Sequence, residues 1–217
     1  MQSLLAGHKM SEIRKSINQA IDNLDKNKIN ILYFSYDLNF HNLYHSPLLI
    51  FGKIFNKLAG NKSIDHVTHI SNFNFNFDTN LWDVWIQEAC IDTGIRKTYL
   101  FDRLLVFQGT CYIETLNNVD RAKAKAFELK YSDNPYSKTK ALFSALDIGL
   151  IDKIYNSLSK ILKRPDINTS FCSWLEALFL KDQGIDISTK ENGNPDELTP
   201  ADIFEMNLGK KSIFFKS

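Results

Sequence analysis

From Asp65 the side chains alternate. DHVTHISNFNFNF places polar and apolar residues at successive positions, and LWDVWIQEA follows after Asp78-Thr79-Asn80. Period-two alternation on both sides of a turn-forming triplet is the pattern of two neighbouring strands. A slip of one residue would turn each strand's apolar set to the wrong face, so this pair commits the chain to a sheet with a buried side. A third strand is expected at Ile29–Ser35, which is short, apolar and aromatic, and another at Leu104–Gly109, with Cys111–Leu116 continuing it. Ser212–Phe215 (SIFF) reads as a closing edge strand.

Helical spacing surrounds these segments. Ile13, Ile17, Ala20, Ile21 and Leu24 recur behind a capping Ser11. Ser46-Pro47 opens a helix that stops at Gly60, apolar enough on all sides to be buried or to meet a greasy partner. Val119–Leu129 follows a capping Asn118, and Ile151–Leu162 ends before Arg164-Pro165. Cys172–Gln183 carries Leu175, Leu178 and Phe179 and stops at Gly184. Beyond the polar loop STKENGNPDE, Thr199-Pro200-Ala201-Asp202 resembles a capped helical turn.

With 217 residues and 44% hydrophobic side chains, the chain can bury a full core as one domain, residues 1–217. A formal charge of +1 leaves no electrostatic footprint for nucleic acid and no polybasic membrane patch. No apolar run of about 18 residues provides a transmembrane segment. The start MQSLLAGHKMSEIRKS lacks the charged region of a secretory signal. Cys90, Cys111 and Cys172 are spaced for neither a disulfide framework nor a paired zinc site, which points to a reducing, cytoplasmic setting and to no metal cofactor.

Cys172 opens its helix, and two readings fit. A cysteine there is ordinary core. It is also where backbone N–H groups and the helix dipole favour a thiolate, settings that bring a thiol pKa from about 8.5 down to as little as 3.5–7.5. A nucleophilic thiol needs a histidine within reach and a third group to hold that histidine. His8 lies near the start, His41 and His45 in a polar stretch, and His66 and His69 on the alternating strand. A separation of three puts the last two on one face of a helix but on opposite faces of a strand, which weakens a metal site built from His66, His69 and Glu88. Glu88 interrupts the apolar VWIQEAC. Facing inward it needs a partner, and a histidine on the adjacent strand would be one; facing outward it is an edge-strand carboxylate in water.

A strand beginning His66-Val67, a strand ending Glu88-Ala89, a helix opening Phe171-Cys172-Ser173 and ending Gly184-Ile185, and the late Thr199-Pro200-Ala201-Asp202 together resemble the circularly permuted papain-like amidases, the YiiX/YaeF-like branch of the NlpC-type cysteine peptidase superfamily. The order His, Glu, Cys is that of the permuted branch. The chain departs from the family at Lys28-Ile29-Asn30, where Gly-Asp is frequent, and at Thr68, where Gly is usual.

This resemblance implies an α+β, papain-like, circularly permuted fold: an antiparallel sheet packed against helices that include the cysteine helix, with the N-terminal helix an addition. It implies a cysteine hydrolase of the amidase or peptidase type in which Cys172 is the nucleophile, His66 the base and Glu88 the residue that orients it. KYSDNPYS resembles a family stretch that brings Tyr136, or less readily Tyr131, near the site, so Tyr136 and Ser173 are expected at the substrate or oxyanion position. No cofactor is required. The substrate is expected to be a peptide, an isopeptide or an acylated small molecule. A catalytically inactive papain-like binding module is the alternative. If the strand register differs, Asp92, Asp102 or Glu114 stands in for Glu88, and His69 for His66.

Overall fold

The computed structural model describes residues 2–37, 64–90, 93–117, 119–132, 134–135, 172–187, 195 and 198–217. Within them the chain runs α1 (Gln2–Asp22), β1 (Asn30–Tyr36), β2 (His66–Asn76), β3 (Leu81–Cys90), β4 (Gly94–Tyr99), α2 (Leu100–Leu105), β5 (Gly109–Leu116), α3 (Arg121–Tyr131), α4 (Cys172–Asp182), α5 (Pro200–Glu205) and β6 (Gly209–Lys216). The architecture is α+β. One six-stranded sheet has the order β4-β3-β2-β1-β5-β6, and every neighbouring pair is antiparallel.

The alternation that defines the strands also builds two cores. On β1, Leu32 and Phe34 face one side and pack with Ile17 and Ile21 of α1 and with Leu100 and Leu104 of α2. Ile31 and Tyr33 face the other side and pack with Phe127 of α3, Leu175 and Phe179 of α4, and Phe204 of α5. A central strand that is apolar on both faces is covered on both, which explains why INILYF reads as a continuous apolar run. The cysteine helix therefore packs on the sheet, most extensively against β2 and β3.

The expected hairpin is present as β2 and β3, with Asn80 at φ +53° in its turn. Ser71 is the extra residue of a bulge in β2, between the Ile70–Ile86 and Asn72–Trp85 pairs. SIFF lies on β6 at the sheet edge, and Thr199 opens α5 with a reciprocal capping box to Asp202. α4 stops as expected, with Gly184 at φ +80°.

Four expectations change. α1 begins at Gln2, so Ser11 is inside the helix and does not cap it. Leu104–Gly109 is not a strand: Leu100 and Leu104, four apart, are both buried, and this helical spacing forms α2 before the chain enters β5. β4 is additional. Its Arg96 and Lys97 break any apolar alternation because it is an edge strand with exposed positions. Asp120 caps α3, its side chain accepting from the N–H groups of Ala122 and Lys123. The helices expected at Ser46–Gly60 and Ile151–Leu162 lie outside the described residues, as do Asn118, Tyr136 and Phe171. No helix among the described residues is long and apolar enough to cross a membrane.

Candidate active site

Three elements converge on one histidine. His66 is the first residue of β2, Glu88 the eighth of β3 and Cys172 the first of α4. His66 pairs with Phe34 and His69 with Ile31, so the two histidines point to opposite faces, as the strand period requires. The ring of His66 lies 5.7 Å from that of Phe34, and its Nε2 is 3.1 Å from Glu88 Oε2. The Cys172 thiol lies close enough to the same ring to raise its affinity for a proton. With Nε2 taken by Glu88, Nδ1 is the nitrogen left for the thiol.

Glu88 is 0% exposed and lies on an internal strand, which removes the edge-strand reading. A buried carboxylate is tolerated when its oxygens are bonded and its charge is matched. Thr98 Oγ1 donates to Oε1 at 2.8 Å and Arg96 Nη2 to the same oxygen at 3.4 Å. Arg103 Nε donates to Oε2 at 3.2 Å, while its Nη2 donates to the Tyr36 hydroxyl and its guanidinium lies 5.3 Å from the Phe34 ring centroid.

The electrostatics follow from these contacts. Burial alone would raise the Glu88 carboxyl, but the bond to His66 and the charges of His66 and Arg103 hold it well below the usual carboxylate range. Burial lowers His66, and the bonds to Cys172 and Glu88 outweigh it, raising the ring from 6.5 to about 9. The other thiols differ. Burial and the negative charge of Glu88 push Cys90 up to about 12, and burial pushes the fully enclosed Cys111 up as well. All three cysteines are free thiols.

The substitutes for the triad have other work. Glu114 accepts from the Tyr33 hydroxyl at 2.6 Å, from the Gly209 N–H at 2.6 Å and from Lys211 Nζ at 3.0 Å. Asp102 lies in the first turn of α2, and Asp92 is outside the described residues. His69 Nδ1 meets Glu176 Oε2 at 3.0 Å, one turn along α4 from Cys172, and its ring stacks on Phe179 with centroids 4.0 Å apart. Ser173 is fully buried, and its hydroxyl has no hydrogen-bond partner among the described residues. Tyr131 packs edge-on against Trp174 near the start of α4.

Arg96, Thr98 and Arg103 were not expected from sequence. Arg96 stands directly opposite Glu88 in the β3–β4 register, a relation visible only once β4 is recognised. Arg103 reaches Glu88 because Leu100–Leu105 is helical. No group of three His, Cys, Asp or Glu side chains among the described residues is placed to hold a metal ion. Comparison of the chain with protein-family models, with curated proteins and with solved structures finds no match in any of the three.

Proposed function

We propose that this chain is a cysteine hydrolase of the amidase or peptidase type, with Cys172 as nucleophile, His66 as proton carrier and Glu88 as the group that orients His66. The observation that carries this reading is the position of the His66 ring between a buried, charge-matched carboxylate and a thiol at a helix N-terminus. A thiol beside an imidazolium and a helix start is the setting in which cysteine becomes a nucleophile.

His66 takes the thiol proton, the Cys172 thiolate attacks the carbonyl carbon of an amide or ester, and the carbonyl π electrons move to oxygen. The backbone N–H of Cys172, in the first turn of α4, is the donor proposed for that oxyanion, and Tyr136, outside the described residues, is the further donor that the resemblance implies. Collapse of the tetrahedral intermediate expels the amine or alcohol, which takes its proton from His66, and leaves a thioacyl enzyme. His66 then removes a proton from water, which attacks the thioester and releases the acid and the thiol. Glu88 keeps the ring oriented and stabilises its charged form.

The chain order His66, Glu88, Cys172 supports a permuted papain-like architecture, and three free thiols fit a reducing, cytoplasmic setting. The substrate class drawn from the resemblance is a peptide, an isopeptide or an acylated small molecule.

The test is iodoacetamide labelling of the full chain, followed residue by residue by mass spectrometry, in wild type and His66→Ala. Near neutral pH Cys172 is labelled first and slows at least about tenfold in the variant, the lower end of what a positioned base contributes being larger still. Cys90 and Cys111 lag because burial keeps them protonated. A Cys172 that reacts no faster than Cys90, or that ignores the loss of His66, overturns the enzyme reading in favour of a binding module.

A further inference from the structure

Glu88 already has a permanent positive partner in Arg96 and a hydroxyl donor in Thr98, both on Oε1. Arg103 is a second guanidinium, and it binds the oxygen that His66 uses: its Nε donates to Oε2 at 3.2 Å, beside His66 Nε2 at 3.1 Å. Two nitrogens that touch one oxygen lie at most about 6 Å apart, close enough for like charges to repel in a largely buried place. The Arg103 side chain is 19% exposed against 45% for Arg96, so its charge is the less screened of the two.

Arg103 is held from several sides. It stands in the last turn of α2, which the buried Leu100 and Leu104 lock against the sheet. Its Nη2 donates to the Tyr36 hydroxyl, and its guanidinium carbon lies 5.3 Å from the Phe34 ring centroid and 5.8 Å from that of Tyr36. Tyr36 in turn donates its backbone N–H to Asp65 Oδ2 at 2.8 Å, and Asp65 is the residue before His66. The contacts close a loop from His66 through Glu88, Arg103, Tyr36 and Asp65 back to His66. A planar fork can span Glu88 and Tyr36 together, whereas an ammonium is a single point of charge.

Titratable groups reach this pair from the neighbouring elements. Tyr36 of β1 and Cys90 of β3 are both kept neutral near pH 7 by burial, and Cys172 of α4 lies at the ring. Among the described residues bonded to Glu88, the permanent cations are therefore Arg96 and Arg103. One carboxylate thus faces two guanidiniums before His66 takes a proton, which is more positive charge than its burial requires. We propose that Arg103 is a positioning residue that acts on His66 through the shared oxygen of Glu88, anchoring the carboxylate and limiting how firmly the ring keeps its proton. The proposal rests on the reading of His66 as proton carrier for Cys172. A carrier has to pass its proton to the leaving group, and a carboxylate shared with no other cation on that oxygen would hold the proton more tightly.

The experiment is imidazole NMR of the full chain across pH 6–11, with urea unfolding alongside, in wild type, Arg103→Gln and Arg103→Lys. In Arg103→Gln the His66 midpoint rises above its native value of about 9 by about one pH unit, the effect of one cation removed at about 6 Å with an effective dielectric of about 40. Arg103→Lys, which keeps the charge on Glu88 and gives up the bond to Tyr36, returns the midpoint most of the way to the native value. Arg103→Met, uncharged and able to keep the stem packed on Phe34, reads the same midpoint if Arg103→Gln does not fold. A His66 midpoint that stays at about 9 or falls in the uncharged variants, with lower stability in urea as their only effect, overturns the proposal and leaves Arg103 a structural residue. Failure here is distinct from failure of the hydrolase reading: the first shows as a fixed His66 midpoint, the second as slow labelling of Cys172.

Discussion

Glu88→Gln preserves shape and removes one charge from the centre of the candidate site. In the native protein His66 is raised from 6.5 to about 9 by its bonds to Cys172 and Glu88, against the effect of burial. That displacement corresponds to about 3 kcal/mol favouring the charged ring. Because the folded value is the higher one, this stability is fully present below pH 6.5 and is lost as pH rises through about 9. Glu88 acts in the opposite sense. Its folded value is depressed, so its contribution is present above the ordinary carboxylate range and is lost only as pH falls through the folded value.

The substitution removes one of the two partners that raise His66 and leaves Cys172 as the other, so the ring's midpoint moves down from about 9 and the alkaline loss of stability shifts to lower pH and shrinks. At pH 7 the variant is less stable by about 3 kcal/mol, because Arg103 keeps only Tyr36 as partner in a largely buried position. Both figures view the same contacts and do not add. Imidazole NMR across pH 5–10 and urea unfolding at matched pH measure the two effects. A His66 midpoint unchanged by Glu88→Gln would refute the reasoning, because the carboxylate would then have no hold on the ring.

Glu176→Ala strips the partner from the buried Nδ1 of His69 and costs about 1–3 kcal/mol in urea unfolding. It also slows iodoacetamide labelling of Cys172, since Glu176 pins α4 to β2 one turn from the thiol. Gly184→Ala costs about 1 kcal/mol, with open space around the added methyl, as a helix-terminating positive φ predicts. Gly94→Ala costs more than about 2 kcal/mol by the same assay: φ is +73°, and a Cβ there would lie 2.3 Å from the Asn134 carbonyl oxygen. Thr199→Ala removes the capping box of α5 and lowers stability by about 1 kcal/mol, read as a drop in Tm.

Much of the sheet is legible in the chain because its signals are local. β2 and β3 announce themselves by alternation around Asp78-Thr79-Asn80, and the end of α4 by Gly184. His66 and His69 fall on opposite faces because a strand has period two, whatever it packs against. β4 and α2 were illegible for a shared reason. GIRKTY lies at an edge and needs no apolar repeat, while the short run around Leu104 fits helix and strand alike until Leu100 is known to share its buried side.

Sequence by itself determined the hairpin, the apolar β1, the exposed edge at β6 and the presence of a thiol at a helix start. It narrowed the third member of the site to a buried or an exposed Glu88 without choosing. Only the tertiary structure decided that choice, by laying β4 outside β3 and turning Leu100–Leu105 into a helix, so that Arg96, Thr98 and Arg103 all close on one carboxylate. It likewise brought the start of α4 to the His66 ring and set His69 against Glu176. The physical reason is that backbone periodicity acts over a few residues, whereas burying a charge depends on donors that arrive from distant parts of the chain.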